Sequence, residues 1–462
     1  MKTITSQLVL LLVATAAFAT DRPNVLFIAI DDLRPELACY GGPQVKSPNL
    51  DKLAEQGVQF TRAYCQVAVC GASRASMLTG VLPTRNRFLR YFARADEDVP
   101  NATTLPEAFK NAGYTTISNG KIFHHRDDSE AESWSEKSWR PKGSRRSFDP
   151  ETTEKLSKKK RGRIYEHPEV ADNAYPDGET AEKTIKDLQR LKKSGKPFFL
   201  ACGFLKPHMP FYAPKKYWDL YKRDEIKIAD NRFRPKNGPN DLRAGNEFKS
   251  YHLAGLNEKS EEFHRMMRHG YLACVSYVDK LVGDVLAELK RLELDEDTIV
   301  VVWGDHGWHL GEHTFWGKHN TTHLAMRVPL IVRVPGKKVG PSKSLVETSD
   351  LFPTLCELAG IPIPATVQGK SFVSVLNAPE APFRKVAYSR YGSGDAVITE
   401  QFNYTSYNGG KSDMLYDLKK DPKENVNIAG NPEYSKTVAK MRALLKTRMA
   451  EAAAAKGLNA PK

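Results

Sequence analysis

Three short clusters in this 462-residue chain hold residue types able to do chemistry. Asp31-Asp32 offers two adjacent carboxylates, Asp305-His306 a carboxylate and an imidazole, and Cys70 a thiol just ahead of a predicted helix. Singly, each has a bland reading. An Asp pair after a strand commonly makes a turn or a helix cap, and a free Cys is commonly a small buried residue. All three, however, follow predicted parallel strands or enter a predicted helix, at the edge where open α/β sheets bind ligands. Three carboxylates with one imidazole form a mostly hard-oxygen donor set, which suits Ca²⁺ or Mg²⁺ better than Zn²⁺.

The elements that must position these groups alternate in type. Asn24 to Ile30 is a continuous apolar run, as expected of a strand buried on both faces. Ser47-Pro48 opens a helix that Gly57 stops, and Ala72 to Thr79 reads as a second helix closed by Gly80. Thr104 to Asn111 is a short helix followed by a strand at Tyr114 to Ser118. Further helices are expected over Thr180 to Lys193, around Tyr277 to Leu289, and over Ser349 to Gly360. Pro197 to Cys202, Thr298 to Trp303 and Leu330 to Val334 are the remaining buried strands of this part. Such alternation predicts a mostly parallel sheet sandwiched by helices. Past Pro382 short alternating segments predict a small antiparallel subdomain. The expected division is 1–19 signal peptide, 20–381 catalytic domain and 382–462 C-terminal α+β subdomain.

The eleven residues Cys70-Gly71-Ala72-Ser73-Arg74-Ala75-Ser76-Met77-Leu78-Thr79-Gly80 resemble the signature of the type I sulfatases, C-x-[PA]-x-R with a Leu-Thr-Gly ending. The resemblance extends over nearly the whole mature chain and is strongest to the iduronate-2-sulfatase branch. Asn24 to Arg34, Cys39-Tyr40-Gly41, Gly120 to His124, Lys206 to Phe211, and Gly311-Glu312-His313 through Lys318-His319 carry it. Leu415 to Leu418 with Asp421-Pro422 and Glu424 is similar to the C-terminal subdomain of sulfatases generally. The resemblance implies the alkaline-phosphatase-type α/β fold, one Ca²⁺, and hydrolysis of a sulfate ester. It also implies that a formylglycine-generating enzyme oxidises Cys70, whose hydrated aldehyde is then the nucleophile.

Carried over residue by residue, Asp31, Asp32, Asp305 and His306 become metal ligands, and modified Cys70 completes the set. His306 stands where many sulfatases have Asn and where the iduronate branch has His. Arg74 would fix the formylglycine hydroxyl with a guanidinium that stays charged when buried. Lys121, Lys318, His124 and His208 would surround the sulfate. In the mechanism this implies, the cation and the Lys/Arg groups offset charge in the transition state. His208 is assigned as the acid that protonates the leaving alcohol. His124 takes the proton of the second hydroxyl as sulfate leaves, and the two roles are interchangeable at this level. The Arg-rich stretch from Thr84 to Arg94 departs from the branch, and Arg90 and Arg94 are candidates for binding a uronate carboxylate or neighbouring sulfate.

Composition bounds the partners. Hydrophobic residues make up 40% and charged residues 27%, so a wholly disordered chain is excluded. A net charge of +14 favours anionic partners, and a sulfated saccharide meets that without invoking nucleic acid. Residues 137–163, with 11 Lys and Arg against three acids, read as an exposed insertion or long loop. Lys2, the apolar run Leu8 to Val13 and Ala17-Phe18-Ala19 form a secretory signal with cleavage expected after Ala19, and no later stretch is apolar enough for a transmembrane anchor. Export to a periplasm, medium or lysosome follows. Cys39, Cys65, Cys202, Cys274 and Cys356 show no spacing that fixes a pairing. Two rival functions remain at this level. One is a phosphodiesterase or phosphonate monoester hydrolase of the alkaline phosphatase superfamily, and the other a non-catalytic binder of sulfated glycans.

Overall fold

The structure, a computed structural model, describes residues 22–458 apart from 144, 145 and 159. The expected signal segment therefore lies outside the described residues. Asn24–Ile30 forms β1, buried along its whole length. Its side chains alternate as a pleated strand dictates: Val25, Phe27 and Ala29 enter one core layer, Leu26, Ile28 and Ile30 the other. Each fully buried Leu or Phe in these layers contributes about 1.5–3 kcal/mol.

The other strands of the main sheet are β2 (Val58–Tyr64), β3 (Thr115–Gly120), β4 (Phe198–Phe204), β5 (Thr298–Gly304), β6 (Arg327–Arg333) and β7 (Gly340–Glu347). They lie in the order β7-β2-β6-β5-β1-β4-β3. Pairing is parallel for β1 with β4 and β5, for β3 with β4, and for β7 with β2. Only β6 runs against its neighbours. The mostly parallel expectation is met. β2 and β7 had no counterpart in the sequence reading, because Gln59, Thr61 and Arg62 interrupt the first and Pro341, Ser342 and Lys343 the second.

Helices cover both faces. α1 (Pro48–Glu55), α5 (Pro176–Ser194) and α6 (Glu261–Arg291) pack on one core layer through Leu50, Leu188 and Leu281. α2 (Cys70–Thr79), α3 (Leu105–Asn111) and α7 (Leu351–Leu358) pack on the other through Met77, Phe109 and Leu355. Thr104 closes a capping box with Glu107 at the start of α3. Among its described residues, the basic segment 137–163 holds more regular structure than expected. Trp139 exchanges backbone hydrogen bonds with Ser118 and Gly120 at 2.8 Å, extending the open edge of β3. Asp149 then caps α4 (Pro150–Ser157) by accepting from the Thr152 amide.

Strands β8 (Ala387–Tyr391), β9 (Gly394–Ile398), β10 (Phe402–Tyr407) and β11 (Ser412–Asp417) form a four-stranded antiparallel sheet. Tyr404 and Leu415 of that sheet pack with Met441 and Leu445 of α8 (Ser435–Ala453). All six cysteines are unpaired thiols. Among the described residues, no helix is long and apolar enough to cross a membrane.

Candidate active site

The C-terminal ends of four adjacent parallel strands deliver the polar groups. β1 ends at Asp31-Asp32, β3 at Lys121, β4 at the Lys206–His208 loop and β5 at Asp305-His306. The last two strands to converge, β3 and β4, do so at glycines. A Cβ on Gly120 would lie 2.1 Å from the Gly203 carbonyl oxygen, and one on Gly203 equally close to that of Lys121. With the Lys121 amide donating to the Gly203 oxygen at 2.9 Å, this contact fixes where the Lys121 side chain starts.

Helix α2 begins at Cys70 itself, two residues earlier than expected, so the thiol sits in the first turn. Its helix is held against the sheet by Ser73, which donates to the Asp305 carbonyl oxygen at 2.5 Å. Cys70 Sγ lies 3.2 Å from His306 Nε2 and 3.9 Å from Asp32 Oδ1. One ligand atom each from Asp31, Cys70, Asp305 and His306 fall within 4.8 Å of one another, and the same holds for Asp31, Asp32, Cys70 and His208. Asp31, Asp32, Asp305 and His306 are all fully buried. Burial, and then the neighbouring carboxylates Asp31 and Asp305, push Asp32 up to about 7 against the opposing pull of Lys318. A divalent cation would relieve that crowding of buried negative charge, and the oxygen-rich donor set fits Ca²⁺.

Three cations hold the carboxylates. Arg74 is fully buried and donates to Asp305 Oδ2 (2.9 Å), Asp31 Oδ1 (3.2 Å) and the carbonyl oxygens of Lys121 (2.5 Å) and Ile122 (2.8 Å). Lys121 Nζ reaches Asp31 Oδ2 at 2.5 Å. Lys318 Nζ reaches Asp32 Oδ1 at 2.8 Å and lies 4.6 Å from the centre of the Trp308 ring. The Cys70 thiol itself is pushed well above its ordinary value, by burial and then by Asp31. Burial thus disfavours the thiolate, the form of a cysteine that attacks.

The two histidines differ in their surroundings. His208 Nδ1 lies 2.6 Å from the Met209 carbonyl oxygen, which makes Nδ1 the donor and turns Nε2 towards Glu247 Oε1 (3.4 Å) and Asp32 Oδ2 (3.8 Å). Burial and Lys318 lower His208 to about 4, while Glu247 works in the other direction. His124 is lowered further, to about 2, by burial and Lys121, and its Nδ1 is buried with no hydrogen-bond partner. Tyr91 packs edge-on to the His124 ring, 6.1 Å between centroids. Glu247 also reaches Lys318 at 3.4 Å and so joins His208 to that cation. Sequence reasoning missed Glu247, because it sits in a short 3-10 turn with no apolar periodicity and no motif around it.

These groups open into one cavity of about 850 Å³, whose wall includes Cys70, Lys121, His124, His208, Glu247 and Lys318. The structure thus brings together Cys70, Arg74, Lys121, His124, His208, Lys318 and the four expected metal ligands. It does not bring Arg90 and Arg94 into the cavity wall. Arg90 is exposed, and Arg94 is engaged by Asp96 at 2.6 Å and Asp127 at 3.1 Å. The cations that do line the wall beyond the catalytic group include Arg126, Arg140, Lys142 and Arg161.

A buried carboxylate cluster beside a helix N-terminus and flanked by Lys and Arg, at this edge of a parallel sheet, defines an alkaline-phosphatase-like hydrolase of anionic esters. Solved structures agree on the fold. A phosphonate monoester hydrolase of Agrobacterium radiobacter superposes with a TM-score of 0.76 at 22% identity, over 93% of this chain and 96% of that one. A protein solved in complex with D-glucosamine-2-N,6-O-disulfate gives 0.76 at 24% identity, over 94% and 98%. The sulfatase family model matches residues 23–361, and the model described as N-sulphoglucosamine sulphohydrolase, C-terminal, matches 311–451. Iduronate 2-sulfatase of Mus musculus is 36% identical over 401 residues, 77% of this chain and 72% of that protein. A sulfatase of Formosa agariphila is 33% identical over 92% of this chain and 86% of its own length. The chain belongs to the sulfatase family, and its activity is that of a sulfuric ester hydrolase.

Proposed function

We propose that the chain is an exported sulfatase that removes sulfate from a sulfated sugar or polysaccharide, using Cys70 as formylglycine and one bound Ca²⁺. The observation that carries this reading is the placement of Cys70. It is a buried thiol set among four metal-type ligands and facing a cavity lined by Lys121, Lys318, His124 and His208. Oxidation to the aldehyde replaces that sulfur with a hydratable centre at the same position. The relatives named iduronate 2-sulfatase, and an ulvan-active sulfatase 28% identical over 93% of this chain, support a saccharide as the sulfate carrier.

When bound, Ca²⁺ supplies Lewis-acid polarisation of the sulfate and charge compensation. Asp31, Asp32, Asp305 and His306 would hold it. Lys121 and Lys318 offset the negative charge that grows on the sulfate oxygens, and Arg74 keeps Asp31 and Asp305 in place. Cys70 in its formylglycine form would supply the hydroxyl nucleophile for the sulfate, and His208 would give a proton to the departing alcohol oxygen. The Glu247 carboxylate 3.4 Å from Nε2 favours the protonated imidazole against the lowering by burial and Lys318, and among the described residues no carboxylate stands within ion-pair distance of His124. His124, held neutral by burial and Lys121, would accept a proton from the nucleophilic group when sulfate is released.

The test is a competition among a sulfate monoester, a phosphodiester and a phosphonate monoester, followed by sulfated uronic-acid saccharides. A higher kcat/KM for the sulfate ester is expected. Preference for the phosphodiester or phosphonate would overturn the reading, and a Cys70→Ala protein with undiminished biological activity would replace it with glycan binding.

A further inference from the structure

One wall of the cavity is built from charges that the hydrolytic chemistry does not use. Arg126, Arg140, Lys142 and Arg161 line it, and among the described residues none of the four is ion-paired. Arg140 donates to the carbonyl oxygens of His124 (3.1 Å) and Phe123 (2.5 Å). Arg126 donates to the Ser138 carbonyl oxygen at 2.9 Å, and Arg161 to the Tyr251 hydroxyl at 2.6 Å while lying 4.8 Å from the centre of that ring.

Four cations of the basic segment 137–163 sit beside acids instead, while among the described residues the exposed Lys137 and Lys160 are not ion-paired either. Arg146 pairs with Glu179 at 2.5 Å, Lys155 with Glu151 at 2.6 Å, Lys158 with Glu154 at 2.6 Å, and Arg163 with Asp149 at 3.5 Å. Those four cations have acids beside them, whereas Arg126, Arg140 and Arg161 are oriented by carbonyls and an aromatic hydroxyl. Carbonyl bonds fix a guanidinium's direction without neutralising it. Arg140 is partly buried, and burial together with Arg74 and Arg126 lowers it to about 10, the signature of a cation short of counter-charge. The cavity's own carboxylates are committed elsewhere: Asp31 to Arg74 and Lys121, Glu247 to Lys318 and His208. An anion entering with the substrate would supply the missing partner, and a planar fork suits carboxylate and sulfate oxygens alike.

We propose that Arg140 and Arg161, flanked by Arg126 and Lys142, form a second anion subsite that takes a carboxylate or further sulfate of the same saccharide. The enzyme then selects substrates carrying at least one anionic group besides the sulfate it removes. This deepens the proposed sulfatase reading and rests on it for the word substrate, but the subsite itself is testable by binding alone.

The experiment uses full-length Cys70→Ala protein, which cannot turn over, and calorimetric titration with a sulfated uronate-containing disaccharide and its uronate methyl ester. The ester is expected to bind about tenfold more weakly, the worth of one charge-assisted pair. In the Cys70→Ala, Arg161→Gln protein that discrimination is expected to fall to about twofold. A disaccharide with a second sulfate in place of the carboxylate separates the two sources. Binding as tight as the acid assigns the subsite to anionic charge of either kind, and binding as weak as the ester assigns it to carboxylate. Equal binding of acid and ester, or discrimination unchanged by Arg161→Gln, overturns the proposal. Sulfate release by the active enzyme is scored separately: discrimination in binding without any release from either compound removes the sulfatase reading and leaves the subsite standing.

Discussion

Replacing Arg74 by Lys keeps the charge of the residue and removes its shape, which isolates what the guanidinium does. The native side chain meets four acceptors in two directions: Asp31 and Asp305 on one side, the carbonyl oxygens of Lys121 and Ile122 on the other. An ammonium on a shorter fork-less stem reaches one side only. If it stays with the carboxylates, two fully enclosed carbonyls lose their donor, at roughly 1–3 kcal/mol each. Arg74→Lys should therefore destabilise the fold by about 2–6 kcal/mol. Arg74→Met should do worse, because buried Asp31 and Asp305 then lose a counter-ion as well. The assay is urea unfolding of the thiol form of both variants, so that maturation of Cys70 does not enter, with sulfate release measured on matured protein. Loosening the Lys121 carbonyl also moves a residue that faces the sulfate, so turnover should fall by about 10²-fold or more, as misplacements near 1 Å do. An Arg74→Lys protein with an unchanged unfolding midpoint and unchanged kcat/KM would refute the reasoning.

Three further outcomes are expected. Glu424, raised by burial from 4.5 to about 7, keeps a proton in the folded state that the unfolded chain releases between those values. Its contribution is full below about pH 4.5 and is lost as pH rises through 7, so Glu424→Gln should flatten the fall in unfolding free energy across that window, by up to roughly 3 kcal/mol, in urea titrations at each pH. His208→Ala should lower kcat by about 10²–10⁴-fold on a sugar sulfate and far less on an aryl sulfate with an acidic leaving group; equal losses on both would remove His208 as the acid. Chelation with EGTA should abolish turnover and lower the thermal midpoint, and Ca²⁺ at about 100 times its Kd should restore about 2.7 kcal/mol, read by calorimetry.

How much of this was legible in the sequence depended on burial. β1 and β5 are covered on both faces, so their apolar runs end abruptly where Asp31 and Asp305 begin, and the strand ends named the site. The Cys70 to Gly80 motif is local and survived intact, off by two residues at the helix start because small residues give no amphipathic edge. Edge strand β7 carries Lys343 at an exposed position and β2 carries Thr61 and Arg62 at half-buried ones, and neither left such a mark. Glu247 and Arg140 owe their importance to contacts far away in sequence, with His208, Lys318 and the Phe123-His124 backbone. In a basic run, Arg140 looked like one solvated charge among many. Arg94 sits outside the cavity wall, and the acids that engage it include Asp96, two residues away, and Asp127, which only the fold brings near.

The account stands on the chemical state of one atom position, and one mass spectrum reads it. Protein purified from its native host and digested with trypsin yields the peptide Ala63 to Arg74, which carries Cys65 as an internal control beside Cys70. The account predicts Cys70 as the aldehyde or its hydrate, and Cys65, buried and unpaired, as a thiol. Both residues found as thiols in catalytically active protein would contradict it.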